Sequence, residues 1–196
     1  MEGSSLALYI HWPFCKIKCP YCDFNSYRRE TVNQSHWVGA YLKALEFWSS
    51  RLSKRKINSI FFGGGTPSLL DADFVELLLQ KIDELWGINS DCEITIEANP
   101  NSVSDVKFRQ LKGVGINRVS VGVQALVDRD LIDLGRDHDK NQAIEAVETI
   151  KKWFKNFNLD FIYGRQYQST NEWCDELSKI VSLEAPHLSL YQLTIE

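Results

Sequence analysis

The chain has 196 residues, of which 44% are hydrophobic and 24% charged, and it carries a net charge of −4. These values are typical of a single globular domain, and they exclude the basic surface on which nucleic-acid binding depends. No apolar run approaches the roughly 20 residues that span a bilayer, so we expect no transmembrane segment.

The predicted elements alternate along the chain between short apolar runs and helical patterns. Six runs rich in β-branched and aromatic residues predict strands: Leu6–Ile10, Ile57–Phe62, Glu93–Ala98, Arg118–Gly122, Leu159–Ile162 and His187–Ile195. Between them, apolar residues at three- and four-residue spacing predict five helices. These cover Val38–Leu52, a segment from about Asp71, Phe108–Leu111, a segment opened by Asp139, and Trp173–Val181. Asn33 or Ser35 is predicted to cap the first helix, and Val123–Asp137 to be a long polar connection.

The alternation of strands and helices predicts an α/β fold with parallel strands and right-handed crossovers. Polar motifs follow the strands, which is typical of a TIM-like barrel, whose functional residues lie at the carboxyl ends of the strands. A complete eight-fold barrel needs about 250 residues, so we expect an open, partial (β/α)6 barrel that ends at the sixth strand. A doubly wound Rossmann-like sheet is the alternative, although no G-x-G-x-x-G motif follows the first strand.

Three of the five cysteines, Cys15, Cys19 and Cys22, form a C-x3-C-x2-C array just after the first strand. An odd number of cysteines, with three crowded together, argues against a secreted disulfide framework and for a metal site in a reducing, cytoplasmic compartment. Three thiolates can hold three irons of a 4Fe-4S cluster and leave the fourth iron open to an outside ligand. Zinc is the alternative, and His11 or Asp23 would then have to complete its ligands.

The residues around the array and the two isolated cysteines also carry expectations. Cys92 and Cys174 are predicted to be small buried hydrophobic residues. Four aromatic residues that flank the cysteines are predicted to shield a cluster from water: Trp12, Phe14, Tyr21 and Phe24.

Taken with motifs further along the chain, the cysteine array resembles the radical S-adenosylmethionine (SAM) superfamily. The motifs are YIHWPFC, PYCDFNSY, FFGGGTPSLL, EITIEANPNS, RVSVGVQAL, LGRDH, LDFIYG and HLSLYQLTIE. They are similar to one branch, which contains the oxygen-independent coproporphyrinogen III oxidases and the HemW-type haem chaperones. The resemblance runs from residue 9 to residue 196. It implies that residues 1–196 form a radical SAM core domain, without the C-terminal accessory domain of the family.

The resemblance also implies which residues bind the cofactors. Cys15, Cys19 and Cys22 would hold the cluster. Gly64, Gly65 and Thr66 would lie against the methionine part of SAM, where glycines allow close approach and their amides can donate to a carboxylate. The other implied cofactor contacts are Tyr9, Tyr21, Glu97, Gln124, Arg136 and Asp160. Taken singly, these residues have other interpretations: a helix cap for Glu97, a loop hydrogen bond for Gln124 and a surface ion pair for Arg136.

The residues after Cys22 separate the two functions in this branch. The oxidases carry a further cysteine two positions later, where this chain has Phe24. The resemblance therefore favours a haem chaperone, which binds haem and passes it to an acceptor protein. The alternatives are a coproporphyrinogen III oxidase, an oxidoreductase of porphyrin biosynthesis that uses SAM-derived radical chemistry, and an inactive truncated remnant. Whether the chain is an enzyme, its oligomeric state and any peripheral membrane contact stay open.

The chain also departs from this resemblance. The family usually continues L-P-G-Q-T or L-P-K-Q-T after the fifth strand, whereas this chain reads Arg165–Thr170, so the loop that follows Asp160 is altered. Relatives are nearly twice as long, and the additional region is implicated in haem binding. Of the histidines, His138 matches the G-R-x-H motif of the family, and His11 is interpreted as structural.

Overall fold

A computed structural model describes residues 5–52 and 55–194 of the chain. The strands in these two ranges are β1 (Leu6–Trp12), β2 (Phe14–Cys15), β3 (Tyr27–Arg28), β4 (Ile57–Gly64), β5 (Ile88–Ala98), β6 (Arg118–Gln124), β7 (Asn156–Tyr163) and β8 (His187–Gln192). The helices are α1 (Gln34–Ser49), α2 (Ala72–Trp86), α3 (Asp105–Gly113), α4 (Asp128–Asp133), α5 (Lys140–Trp153) and α6 (Thr170–Val181). Short 3-10 turns at Pro67–Leu69 and Pro100–Ser102 follow β4 and β5.

Six of the strands form one sheet in the order β1-β4-β5-β6-β7-β8, and every neighbouring pair is parallel. Strand order therefore follows chain order, with a helix in each connection. A doubly wound sheet reverses its strand order at a switch point, so the Rossmann-like alternative is wrong. The predicted α/β fold, an open and partial (β/α)6 barrel, is confirmed.

The two faces of this sheet differ in polarity, because side chains alternate along each strand. One face is apolar and contributes to the main core, with residues such as Ile96, Val121 and Leu159 fully buried beneath the helices. The opposite face is polar on its central strands, where Glu97 pairs in register with Ser120. This polar face is the wall against which the cavity described below is built.

Local capping explains where several helices begin. The Asn33 side chain accepts a hydrogen bond from the His36 amide at 3.2 Å, so Asn33 and not Ser35 caps α1. The Asp139 carboxylate accepts from the Gln142 amide at 2.8 Å and opens α5 as predicted. Such caps satisfy amide groups that have no partner within the helix.

The structure corrects other predicted boundaries. The stretch Val123–Asp137 is not an unbroken connection, because it contains the short helix α4. Six residues are too few to show helical periodicity, and α4 buries only Asp130 and Leu131. Strand β7 begins at Asn156, three residues before the predicted start. The predicted end of the last strand at Ile195 lies outside the described residues.

The two isolated cysteines have different environments. Cys92 is buried in β5, as predicted. Cys174 lies on α6 and is exposed, so its predicted burial is wrong. The buried residues of α6 are Glu176 and Ile180, and Cys174 lies away from that face. Within the described ranges, no helix combines the length and hydropathy that crossing a membrane requires.

Candidate functional site

The carboxyl ends of the strands surround a cavity of about 660 Å³. Ten of the residues that the sequence singled out line it: Cys15, Cys19, Tyr21, Cys22, Gly64, Gly65, Glu97, Gln124, Arg136 and Asp160. They come from the loop after β1 and from the ends of β4, β5, β6 and β7, with Arg136 supplied by the loop after α4. The volume lies in the range of small-molecule and cofactor sites.

Two further predicted residues, Tyr9 and Thr66, lie outside this lining. The Tyr9 side chain is 59% exposed, and its hydroxyl lies 3.1 Å from Nδ1 of His11. Thr66 is buried, and its hydroxyl accepts a hydrogen bond from Asn99 Nδ2 at 3.0 Å. Their assignment as cofactor contacts therefore stays a prediction.

A two-stranded ribbon holds the cysteine loop together. Phe14 and Cys15 in β2 pair with Tyr27 and Arg28 in β3, which closes the loop at its base. Within the loop, Lys18 Nζ donates to the carbonyl of Phe24 at 3.2 Å and to that of Ser26 at 3.0 Å. The three cysteines are therefore carried on a segment that is tied at both ends and in the middle.

The histidine that follows β1 is part of this scaffold. His11 Nε2 lies 2.9 Å from the Asn25 carbonyl oxygen, and Nδ1 contacts Tyr9. Tyr41 on α1 donates its hydroxyl to the His11 carbonyl. Both ring nitrogens thus have protein partners, which agrees with the structural interpretation of His11.

The aromatic residues near the loop divide into two groups. Trp12 is buried, and both Trp12 and Phe14 make edge-on contacts with Trp37 of α1. These rings back the cysteine loop from the core side. Phe24 is 56% exposed and lines the cavity with Tyr21. The predicted aromatic residues thus lie on two sides of the loop, and their shielding of a cluster stays a prediction.

Gly65 allows β4 to approach the cysteine loop closely. Its amide donates to the Trp12 carbonyl at 2.6 Å. A β-carbon at this position would lie 2.5 Å from the Phe14 oxygen and 2.9 Å from Cys15 Sγ. The Gly64 amide donates to Glu97 Oε2 at 3.0 Å. Both glycine amides are therefore engaged within the protein, and their donation to a ligand carboxylate stays a prediction.

Arg136 joins the cysteine loop to the sheet. Its Nη1 donates to Cys19 Sγ at 3.3 Å and to the Tyr21 hydroxyl at 3.4 Å. Its Nη2 donates to Asn99 Oδ1 at 2.6 Å and to the Gly122 carbonyl at 2.9 Å. The guanidinium is thus directed into the site, and its interpretation as a surface ion pair is wrong.

The loop that carries Arg136 also touches the cysteine loop through its backbone. Gly135 has φ +67°, a left-handed conformation that suits glycine. A β-carbon at Gly135 would lie 2.5 Å from Pro20 Cδ. Only a residue without a side chain therefore lets the cysteine loop lie against the loop after α4.

Burial changes the acidity of two carboxyl groups and of one thiol in the site. Burial raises the pKa of Glu97 to about 7. The hydrogen bond from the Gly64 amide lowers this pKa, and the nearby charge of Asp160 raises it further. Burial also raises the pKa of Asp160 to about 6, although the hydrogen bond from the Ser120 hydroxyl acts to lower it. The pKa of the Cys15 thiol is raised by burial as well, while the hydroxyl of Thr66 acts in the opposite direction.

Gln124 ends β6 in an unusual conformation. Its φ of 72° lies in the left-handed region, which non-glycine residues seldom adopt. Its side-chain Oε1 is buried and has no hydrogen-bond partner among the residues that the structure describes. A buried acceptor without a partner is costly, so a ligand that donates a hydrogen bond would fit here.

Sequence reasoning missed several residues of the site. Asn99 contacts both Thr66 and Arg136, and it directly follows the predicted strand that ends at Ala98. The rule that placed the other residues at strand ends could therefore have found it. Ile162 and the segment 191–194 also line the cavity; they lie in the motifs LDFIYG and HLSLYQLTIE, but no role was assigned to them individually.

The donor set fits a cluster with an open iron better than a single ion. Three thiols line one wall of the cavity, and thiolates are the ligands of iron–sulfur clusters. Facing them are carboxyl, amide and guanidinium groups suited to a polar ligand. Residues 5–52 and 55–194 contain no group of three or more His, Cys, Asp or Glu side chains arranged to hold a metal ion.

Comparison with known proteins agrees with this arrangement. A profile of the Radical SAM superfamily matches residues 9–179. The chain is 43% identical over 192 residues to the haem chaperone HemW of Buchnera aphidicola subsp. Schizaphis graminum. The aligned region covers 97% of this chain and 51% of that protein. It is 40% identical over 193 residues to the haem chaperone HemW of Escherichia coli strain K12, with the same coverage.

A solved structure shows the same fold. Coproporphyrinogen III oxidase (HemN) from Escherichia coli, a radical SAM enzyme, superimposes with a TM-score of 0.83 at 28% identity, over 97% of this chain and 44% of that one. The chain spans about half the length of the curated relatives that it matches. Because the superfamily profile covers most of the sequence, the chain belongs to the radical SAM superfamily.

Proposed function

We propose that this chain binds a 4Fe-4S cluster and SAM and acts as a haem chaperone, holding haem and transferring it to an acceptor protein. Residues 1–196 would be the radical SAM core domain of that activity, in the reducing cytoplasm. The observation that supports the proposal is the convergence of three thiols and the polar ends of four strands on one cavity. The haem-chaperone part comes from the HemW relatives, at 40% and 43% identity.

The cysteine loop would hold the cluster. Cys15, Cys19 and Cys22 would each bind one iron, which leaves the fourth iron for SAM. Cys92 and Cys174 do not line the cavity, so neither can complete the ligands in this conformation. When bound, the cluster supplies the electron for reductive cleavage of the SAM sulfonium.

The polar residues opposite the cysteines would hold SAM. The Gln124 oxygen is free to accept a hydrogen bond, and Arg136 can pair with the SAM carboxylate. Glu97 and Asp160, when deprotonated, would attract the positive charge of SAM and accept hydrogen bonds from its ribose hydroxyls. Gly64 and Gly65 would let the ligand approach the backbone of β4. Tyr9, Tyr21 and Thr66 would also contact the cofactor, and of these three Tyr21 lines the cavity.

A second candidate is a coproporphyrinogen III oxidase of porphyrin biosynthesis. The TM-score of 0.83 to HemN favours it. Phe24 argues against it, since the oxidase branch is expected to carry a cysteine there. Anaerobic incubation of the reconstituted chain with SAM, a reductant and coproporphyrinogen III tests this candidate. Decarboxylated product would favour the oxidase, and its absence together with haem binding would favour the chaperone.

Anaerobic reconstitution with iron and sulfide tests the cluster. We expect about four irons and four sulfides per chain and an absorbance band at about 400 nm. Replacing any one of Cys15, Cys19 or Cys22 with alanine should abolish the band. The matched control is Cys174→Ala, which removes an exposed thiol outside the cavity and should leave the band intact. A wild-type chain without iron and sulfide would refute the cluster assignment.

Haem transfer is tested separately. We expect haem to bind the reconstituted chain with a shift of its absorption spectrum, and to move from the chain to apomyoglobin, used here as a general haem acceptor. Free haem at the same concentration is the control for the transfer rate. If haem shows no saturable binding, the chaperone part of the proposal is wrong even where the cluster and SAM bind.

A further inference from the structure

A buried ion-pair network lies beneath the loops that enter the cavity. Arg165, in the loop after β7, has a side chain that is 4% exposed, and it contacts Asp130 of α4 and Glu176 of α6, at 7% and 3%. Arg165 Nε donates to Asp130 Oδ2 at 3.0 Å, and its Nη2 forms ion pairs with both carboxylates. Arg129 adds a second cation, with Nη2 3.0 Å from Asp130 Oδ1. Arg165, Asp130 and Glu176 are buried, whereas the Arg129 side chain is 61% exposed and balances the remaining negative charge from the solvent side.

Arg165 and its partner Glu176 each form a hydrogen bond with the backbone at the exit of a strand. Glu176 Oε1 accepts a hydrogen bond from the Leu126 amide at 2.7 Å, just after β6. Arg165 Nη1 donates to the Ile162 carbonyl at 2.6 Å, at the end of β7. The network therefore connects α6 to the exits of two adjacent strands.

The segments that the network holds carry residues of the site. Gln124, with its left-handed backbone and unpartnered oxygen, lies two residues before Leu126. Arg136 follows α4, and its amide donates to the carbonyl of Leu131 at 2.9 Å. Leu131 is the residue that directly follows Asp130. Ile162 lines the cavity itself. A displacement of Arg165 would thus reach the site through three separate segments.

We propose that Arg165, with Asp130 and Glu176, is a positioning network that fixes Gln124 and Arg136 in the geometry that the cofactor site requires. The identity of the ligand, SAM, rests on the proposed function, whereas the positioning itself does not. A buried ion pair is weak evidence for stability, since apolar replacements are often neutral. Contacts that converge on the exits of β6 and β7 suggest that this one specifies geometry.

Hydrogen–deuterium exchange of the cofactor-free chain tests the positioning. The variant Arg165→Met keeps an unbranched side chain but removes the charge, which leaves two carboxylates without their shared partner. We expect exchange of residues 122–137 to rise by about tenfold, while β1 and β4 stay protected. Arg165→Lys keeps the charge without the forked geometry, so its effect should be smaller. The lysine variant serves as the test if the methionine variant fails to fold.

Asn117 offers a matched control at the other end of the sheet. Its side chain donates to the Cys92 carbonyl at 2.7 Å and accepts from the Ile94 amide at 2.8 Å. Asn117→Ala therefore also removes hydrogen bonds between a side chain and the backbone of a strand, but these are partly buried and far from the carboxyl ends. It should leave exchange of residues 122–137 unchanged. If it raises that exchange as much as the Arg165 variants do, or if the Arg165 variants raise nothing there, the positioning role is refuted.

Ligand binding then tests the consequence for the site. In reconstituted protein, Arg165→Met should weaken SAM binding by about tenfold while iron and sulfide content stay at the wild-type level. Arg165→Lys should recover part of the affinity, and Asn117→Ala should retain it. Unchanged SAM affinity in Arg165→Met would overturn the proposal. Failure of the wild type to bind SAM would instead overturn the proposed function, and the exchange measurement would still decide the positioning.

Discussion

Glu97 has a carboxyl group whose pKa is raised to about 7 by burial, against a usual value of 4.5. Between these two values the folded chain binds more protons at this site than the unfolded chain. The free energy of unfolding therefore falls as the pH rises from about 4.5 to 7, and the loss persists above pH 7. Glu97→Gln stays neutral and can still accept from the Gly64 amide. We predict that it stabilises the cofactor-free chain by about 2 kcal/mol at pH 8.

Thermal unfolding of both proteins from pH 5 to pH 8 measures this effect. The stability difference should be small at pH 5 and grow up to pH 7. A difference that does not change with pH would show that the Glu97 carboxyl group has no raised pKa. The same variant should bind SAM more weakly, because it lacks the negative charge that the site offers to a cation.

Gly65 gives a second prediction at the residue scale. Gly65→Ala would place a β-carbon 2.9 Å from Cys15 Sγ and must displace the cysteine loop. We expect the iron content after reconstitution to fall to about half or less. The matched control is Gly39→Ala in α1, where a β-carbon meets nothing within 4 Å. That change should stabilise the chain by about 0.5–1 kcal/mol and leave iron content unchanged.

Residues with distinctive chemistry after a strand could be predicted from the sequence, and residues that act through other residues could not. The cysteine array follows β1 as its pattern predicts, and Glu97, which the resemblance implied, lines the same cavity. Arg165 was recognised only as a departure from the resemblance, because its partners Asp130 and Glu176 lie 35 and 11 residues away in sequence. A pairing between distant residues leaves no local signal.

At the scale of elements, α1 is held by few buried residues. Leu45 is 8% exposed, whereas Leu77 of the neighbouring helix α2 is 48% exposed. We predict that Leu45→Ala lowers the free energy of unfolding by about 2–4 kcal/mol, because it leaves a cavity beneath α1. Leu77→Ala, the same chemical change on an exposed face, should cost less than about 1 kcal/mol. Chemical denaturation measures both, and equal losses would contradict the burial of Leu45.

Element prediction succeeded where periodicity extends over several turns, as in α2 and α5. It failed at α4, which has six residues and few apolar side chains. It also shortened β7, because Asn156 and Asn158 are polar residues that lower the apolar signal of a strand. Asn158 lies on the polar face, where its Nδ2 donates to Ser120 Oγ at 3.0 Å. Because residues that face the interior of an open barrel can be polar, prediction from hydrophobicity misses part of a strand that lines this interior.

At the scale of the whole molecule, cluster binding should be coupled to stability. The cysteine loop has only the two-residue pairing of β2 with β3 as regular structure, so binding at three cysteines would order it further. We predict that reconstitution raises the midpoint of thermal unfolding by about 5 °C or more in the wild type and in Cys174→Ala. Cys19→Ala should show no rise. Equal midpoints with and without the cluster would show that the loop is already fully ordered.

The architecture was predictable because each βα unit repeats the same pattern, and parallel strands need helical crossovers. The location of the cavity at the carboxyl ends of the strands was predictable as well, but the full set of residues that line it was not, since this set depends on packing among all the units. The left-handed backbone of Gln124 is a further consequence of that packing and leaves no mark in the sequence.

The agreement between strand order and chain order has a consequence for how the molecule is made. In the described sheet, each new strand pairs with the strand synthesised just before it in the sheet, from β1 to β8. A chain emerging from the ribosome can therefore dock one βα unit after another, without waiting for a distant partner. The loop closures are short for a parallel sheet, which keeps their entropic cost low. The cysteine loop emerges before β4 to β8 and meets the rest of its cavity only as these later strands are added.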